Sequence, residues 1–295
     1  MGDYQHALEC LEEVLEIRER VLGKEHLYTS ACINQIGLVY FYMKDYPRAL
    51  EYYSQARTIA LKNFGEEHQS TAASYCNLGT TAFKMEDYEG SLAYYRKALE
   101  ISLKINGLNH PETATVYNNM GSTYESMGQY SEAVDYYKKG VEIRERTLGT
   151  THRYTVEAYE NLGSAYQSMK DYPHALECYC KVLARKEQVF GAGHPGVFEL
   201  SNKIGAMCQE MKDYPLALEY DQKALDVALQ IWGENSQEAA VMYNNMGAVY
   251  QDMGNYTEAL KYYKKAYEIS ERVLGPDDDF TRFLLGRIDL VNSKL

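Results

Sequence analysis

The sequence predicts an all-α solenoid of antiparallel helix hairpins, and three ladders of residues carry that prediction. Gly23, Gly65, Gly107, Gly149, Gly191, Gly233 and Gly275 stand 42 residues apart without slippage. Gly37, Gly79, Gly121, Gly163, Gly205 and Gly247 repeat at the same interval, and so do Tyr4, Tyr46, Tyr88, Tyr130, Tyr172, Tyr214 and Tyr256. Three ladders in fixed phase mean one structural unit copied end to end. Stacked units build a long surface rather than a pocket inside one core, which points to partner binding.

Residues 111–149 show why each unit is a pair of helices. Tyr117, Met120 and Tyr124 recur at spacings of three and four, one face of a first helix. That helix stops near Met127 and Gly128, where glycine reaches the left-handed conformation that closes a helix. Elsewhere the same turn reads Lys44-Asp45-Tyr46-Pro47, Lys170-Asp171-Tyr172-Pro173 and Lys212-Asp213-Tyr214-Pro215. Proline there falls in the first turn of the next helix, where its missing N–H does no harm. Tyr130, Ala133, Val134, Tyr137 and Val141 form one face of the second helix, which Gly149 ends. So short a turn makes each pair an antiparallel hairpin. Gly121 and Ala133 remove bulk where the two helices touch, and Tyr117 and Tyr137 fill the space beside them. Packing of this kind accounts for nearly all of the 29 tyrosines.

Carried along the chain, this register predicts a lone second helix over 4–22 and a lone final helix over 279–293. Between them, first helices are expected over 27–43, 69–85, 111–127, 153–169, 195–211 and 237–253. Their partners fall over 46–64, 88–106, 130–148, 172–190, 214–232 and 256–274. The chain therefore reads as a single solenoid over 1–295 with six complete hairpins over 27–274. It opens inside a repeat, because Met1-Gly2-Asp3-Tyr4 aligns with Met253-Gly254-Asn255-Tyr256. Asp289 replaces the ladder glycine on the final, capping helix.

Composition narrows the function. With 45% hydrophobic and 24% charged residues the chain has the make-up of a folded protein. Residues 1–22 are interrupted by charges throughout, and no run is apolar enough for a membrane span or a signal peptide. A net charge of −12 argues against a surface for nucleic-acid phosphates. Six cysteines without paired spacing predict reduced thiols and a cytoplasmic location. Cys10, Cys178 and Cys208 stand where sister repeats carry tyrosine, which makes them packing substitutions. His26, His68, His110, His152 and His194 recur once per repeat. Neighbouring repeats are displaced by at least roughly 8–10 Å, so these rings cannot converge on a metal and read as loop residues beside each first helix. Glu12-Glu13 and Asp277-Asp278-Asp279 lie on helix surfaces or in loops. No phosphate-binding glycine loop or nucleophile–base motif occurs. The expectation is a chain without catalysis, cofactor or metal.

The pattern resembles the tetratricopeptide repeat, W-x2-L-G-x2-Y followed by A-x3-F. Tyr159-x2-Leu162-Gly163-x2-Tyr166 and then Ala175-x3-Tyr179 match it position by position, with tyrosine in the aromatic slots. The period is 42 rather than 34 residues, and glycine stands where the closing proline is usual. HEAT and armadillo repeats share that period but lack both signatures. The longer unit, with Thr-Ala-x-x-Tyr-Asn-Asn-Met-Gly on its first helix, is similar to the kinesin light chain and nephrocystin-3 class. The resemblance implies a right-handed superhelix that binds partner segments in a concave groove.

In that fold the groove is lined by the first-helix face opposite the apolar stripe. At 100° per residue this face takes the sites six and two before the ladder glycine and one and five after it. In chain order the stripes are Ala31, Gln35, Leu38, Tyr42; Ala73, Asn77, Thr80, Lys84; and Thr115, Asn119, Ser122, Ser126. Then follow Glu157, Asn161, Ser164, Ser168; Glu199, Lys203, Ala206, Glu210; and Val241, Asn245, Ala248, Asp252. Asn77, Asn119, Asn161 and Asn245 share one site, with Gln35 and Lys203 as departures. An amide offers donor and acceptor together, so a row of them can bracket a peptide backbone. They can equally bond within their own hairpins. The stripe starts apolar and turns acidic at Glu157, Glu199, Glu210 and Asp252, with Glu125 and Glu160 on its flanks, and it has no cluster of Lys and Arg.

These residues predict a non-catalytic protein-interaction scaffold for an extended peptide or partner segment, neutral or basic rather than acidic. By resemblance, a cargo adaptor or a ciliary or cytoskeletal assembly scaffold is one alternative. The sensor or regulatory module of a larger multidomain protein is another. Leu8, Leu11, Leu15 and Leu22 recur at helical spacing on the lone first element, which predicts an uncovered apolar face and self-association through it.

Overall fold

The structure is a computed structural model that describes residues 2–295. Its elements are all helices: α1 (Gly2–Leu22), α2 (Leu27–Tyr42), α3 (Tyr46–Phe64), α4 (Gln69–Lys84), α5 (Tyr88–Asn106), α6 (Pro111–Ser126) and α7 (Tyr130–Leu148). The series continues with α8 (Arg153–Ser168), α9 (Tyr172–Phe190), α10 (Pro195–Glu210), α11 (Tyr214–Ile231), α12 (Gln237–Asp252), α13 (Tyr256–Val273) and α14 (Asp279–Asn292). Each lies within two residues of its expected bounds. Met1, which opens the aligned turn, lies outside the described residues.

Two local devices repeat. Between first and second helix the chain passes through a left-handed residue, Gly128 or Gly254 in two turns but Lys44, Glu86, Lys170 and Lys212 in the others, at φ 60–63°. Asp45, Asp87, Asp213 and Asn255 then cap the second helix by accepting the backbone N–H three residues on, at 3.0–3.3 Å. Between repeats the ladder glycine takes positive φ, as at Gly65 (79°) and Gly107 (76°). Its carbonyl accepts the hydroxyl of Thr29, Thr71 or Thr113 at 2.9–3.1 Å, which ties the loop to the helix that follows.

The second glycine ladder is a helix–helix contact. A Cβ on Gly79, Gly121 or Gly247 would meet the ring of Tyr95, Tyr137 or Tyr263 at 2.7–2.8 Å. Those rings are buried, and so are Ser91, Ala133 and Ala259, one turn before them on the same second helices.

The helices gather into two compact units, Met1–Ala165 and Tyr166–Leu295. The first has a core around Leu8, Ile36, Tyr40, Tyr53 and Leu78, continued by Leu92, Tyr95, Val116 and Met120. In the second, Leu225, Met242, Tyr243, Met246 and Tyr263 pack with Leu284 and Val291 of α14, so α14 covers the last hairpin.

The N-terminal helix corrects one expectation. Leu8 is buried at 4% exposure, and Leu11 and Leu15 pack half-buried against the same cluster. Of the four leucines only Leu22 is exposed, because α2 occupies the face they form. Val14, Ile17 and Val21 are, with Tyr4 and Leu22, the large apolar residues that α1 leaves in solvent.

A candidate peptide-binding groove

In the first unit the predicted stripe lines three adjoining hollows. The first, of about 410 Å³, lies between α2, α3 and α4 and is walled largely by Leu27, Tyr28, Ala31, Ala56, Phe64 and Ala73. The second, of about 200 Å³, shares Ala73 and Asn77 with it and adds Cys76 and Thr115. The third, of about 330 Å³, shares Glu112 and Thr115 with the second and runs to Asn119, Arg144, Tyr154 and Glu157. The shared walls make one channel across four first helices, apolar at its start and charged at its end.

The asparagine ladder divides into two kinds. Asn77 donates from Nδ2 to Asn34 Oδ1 at 3.0 Å, Asn161 to Asn118 at 3.1 Å, and Asn245 to Asn202 at 2.9 Å. Each bond runs back to the previous hairpin, not within its own. Asn119 would meet Cys76 at the equivalent place, and its amide makes no hydrogen bond among the described residues. Gln35 is exposed at the start of the row.

The remaining site residues are placed as follows. Ser164 donates to Glu125 Oε1 at 3.0 Å, and Glu125 also accepts the Tyr137 hydroxyl at 2.8 Å. Ser122 borders that same hydroxyl. These two serines and Glu125 therefore join neighbouring helices and are less free for a ligand. Glu157, Glu199 and Glu210 are exposed. Lys203 is half-buried with Nζ 4.4 Å from the Tyr179 ring centre. Asp252 accepts from Gln209 at 2.8 Å.

Three features were missed in the sequence. The partners of the ladder sit one residue before it, and the doublets Asn118-Asn119 and Asn244-Asn245 are the signal that could have shown them. Arg144 brings a cation into the third hollow from a second helix, outside the stripe. It is 6% exposed and donates to the Tyr154 carbonyl at 2.7 Å, with Glu157 nearby; burial pulls its pKa down. The periodic histidines are helix caps. Nδ1 of His26, His68, His110, His152 and His194 accepts the backbone N–H two residues on, at 3.0–3.3 Å.

Hairpins copied in register, with side chains presented along one face of their first helices, define an α-helical repeat scaffold of the kind that mediates protein–protein contacts. The tetratricopeptide repeat family model matches residues 1–62, 30–100, 70–146, 140–188, 154–230 and 238–288, and the chain belongs to that family. No curated protein sequence matches it. Among solved structures it is similar to the repeats of a putative kinesin light chain from Podosopora anserina. There the identity is 25%, with 63% of this chain and 88% of that one covered and a TM-score of 0.56. It is also similar to a signal-transduction ATPase with a tetratricopeptide repeat sensor from Pyrococcus horikoshii, at 17% identity and a TM-score of 0.67, covering 96% of this chain and 42% of that one. YrrB, a tetratricopeptide protein with an unusual peptide-binding site, matches at 21% identity and a TM-score of 0.54, covering 78% and 98%. The family is generally one of non-catalytic scaffolds. None of the described helices is long and apolar enough to cross a membrane.

Proposed function

We propose that the chain is a non-catalytic scaffold that holds an extended partner segment along its first-helix stripe. The observation that supports this most is the channel of three hollows with shared walls, which ends beside the unengaged amide of Asn119. The segment is neutral or basic: Glu112 and Glu157 outnumber Arg144 in the third hollow, and the second unit has its own exposed acids, Glu199 and Glu210, on a first helix. The cytoplasm is the proposed location, in keeping with six free cysteines. The reading of one array, six hairpins between single helices, is part of the same proposal.

Two settings fit. A cargo-adaptor or assembly role accords with the likeness to kinesin light chain repeats. A sensor module accords with the repeat sensor of the archaeal ATPase, of which this chain covers less than half. Self-association through α1 belongs to the same proposal and uses Val14, Ile17 and Val21 of two copies.

Panning a random peptide display library on the full chain tests the groove. Enriched peptides are expected to be poor in Asp and Glu. They should lose binding to Ala73→Arg, which fills the wall between the first two hollows from an exposed position. Peptides that bind Ala73→Arg as well as the wild type would refute the proposal.

A further inference from the structure

The fifth hairpin, α10 with α11, departs from its sisters at three aromatic positions. Opposite the ladder glycine the other hairpins carry Tyr53, Tyr95, Tyr137, Tyr179 and Tyr263, and this one carries Asp221. Four residues before the glycine, Tyr75, Tyr117, Tyr159 and Tyr243 give way to Ser201. Three residues after it, Tyr40, Tyr124, Tyr166 and Tyr250 give way to Cys208. All three replacements are buried, Asp221 at 2% exposure. The Asp221 carboxyl lies against Gly205, where a tyrosine ring lies in the sister hairpins. Its Oδ1 and the Ser201 hydroxyl find no hydrogen-bond partner among the described residues. In three sister hairpins the tyrosine hydroxyl donates to an acceptor near the end of the first helix: Tyr137 to Glu125, Tyr179 to Gln167 and Tyr263 to Gln251, at 2.8–3.1 Å. Here the equivalent Gln209 turns away to Asp252.

No neighbour supplies a compensating charge. From α10 the carboxyl faces Cys208, whose own thiol burial pushes up to about 12, with smaller contributions from Asp213, Cys180, Asp221 and Glu219. Lys203, on the same helix, lies over the Tyr179 ring of α9. Cys180 of α9 pairs with Tyr220 at 3.3 Å, and Lys223 with Glu187 at 2.6 Å. On the other side α12 shares a cluster with Ala224 and Leu225 of α11 through Ala239, Ala240 and Tyr243. Its charged residues, Glu238 and Asp252, stand near its two ends. Burial alone raises the Asp221 carboxyl from 3.8 to about 7.

We propose that Asp221 makes the fifth hairpin a proton-gated weak point of the second unit, closed while its carboxyl is protonated and loosened when it ionises. A carboxyl whose pKa is raised by folding binds a proton that the opened state releases. Its contribution is therefore fully present below about pH 4 and is lost as the pH rises to about 7. An unpaired buried carboxylate is costly, and local opening relieves it by letting water in. Helix α10 carries Glu199, Lys203 and Glu210, so the opening reaches the exposed stripe of this unit.

Hydrogen exchange of the full chain, read on peptides from 195–231, tests this at pH 5 and pH 8 against D221N measured at the same pH. Comparing the two proteins at each pH cancels the intrinsic chemistry of exchange. The opening constant of the wild type relative to D221N should rise roughly tenfold or more between pH 5 and 8. Peptides from 111–148, whose hairpin keeps Tyr137, should not change. D221Y, which restores the repeat's own ring, should be as pH-independent as D221N and better protected at pH 8; it decides the question if D221N does not fold. Variants that keep the wild-type pH response in 195–231 would overturn the proposal.

Discussion

Replacing Asn161 and Asn119 by alanine, one at a time, separates the structural from the available members of the asparagine ladder. Asn161→Ala removes the donor that reaches Asn118 Oδ1 at 3.1 Å. Both residues are half-buried, so water can partly replace the lost group. The cost is then an ordinary hydrogen bond, about 1 kcal/mol. For a chain of this size that lowers the melting temperature by about 2–4 °C. Asn119 has no such bond, so its truncation should cost less than about 0.5 kcal/mol. Urea denaturation of both variants measures this directly. A double-mutant cycle of Asn118→Ala with Asn161→Ala should return a coupling near the same 1 kcal/mol, while Asn118→Ala with Asn119→Ala should return little. For peptides recovered by panning, Asn119→Ala should weaken binding by roughly two- to tenfold, the worth of one hydrogen bond. Equal stability losses at 119 and 161 would refute the division, and unchanged peptide affinity in Asn119→Ala would remove Asn119 from the binding surface.

Two further substitutions test the hairpin turn and the N-terminal helix. Lys170 holds a left-handed conformation (φ 60°) that Gly128 and Gly254 take without a side chain. Lys170→Gly should therefore stabilise the chain by up to about 1 kcal/mol, and Gly128→Lys destabilise it by a similar amount, in thermal melts; changes of the same sign would contradict this. Light scattering should show any concentration-dependent assembly abolished by Ile17→Glu, which changes an exposed residue and leaves the Leu8 core in place. Assembly that survives Ile17→Glu would place the contact elsewhere.

The fold was legible in the sequence because its constraints are local and repeated. Glycines recur where φ must be positive or where a ring presses on a backbone, and each of those demands is met afresh in every unit. Helix ends followed from the same turns. What escaped were contacts that join one unit to the next. The sequence placed Asn161 on a face but could not show that Asn118, 43 residues away, takes its amide. It gave the histidines a position without a role, because a capping imidazole needs only a free Nδ1 beside one backbone N–H, and no spacing rule advertises that. Arg144 lies on a second helix, outside the first-helix stripe, and only the loop after α7 brings Tyr154 back to it. Leu8, Leu11 and Leu15 form one apolar face by their spacing, but nothing in that spacing says that α2 covers it.

The staple that frees Asn119 is missing for a reason visible in one residue. Asn34, Asn118 and Asn202 each receive the ladder asparagine of the following hairpin, and Cys76 stands at that position in the second hairpin. A half-buried thiol that stays protonated, its pKa pushed up to about 12, is a poor acceptor for an amide. Within the first unit, hairpins one and two are stapled, and so are hairpins three and four through the part of α8 that belongs to it, while the junction between two and three is left without this bond. That junction is also where the second hollow lies, between Ala73, Cys76 and Thr115. Where a unit gives up this bond, the amide next to the gap retains both donor and acceptor for a ligand. Installing the missing partner with Cys76→Asn should add a bond to Asn119 worth about 1 kcal/mol in urea denaturation, and it should weaken binding of the peptides proposed for this stretch of the stripe; unchanged affinity would remove the Asn119 amide from that proposal.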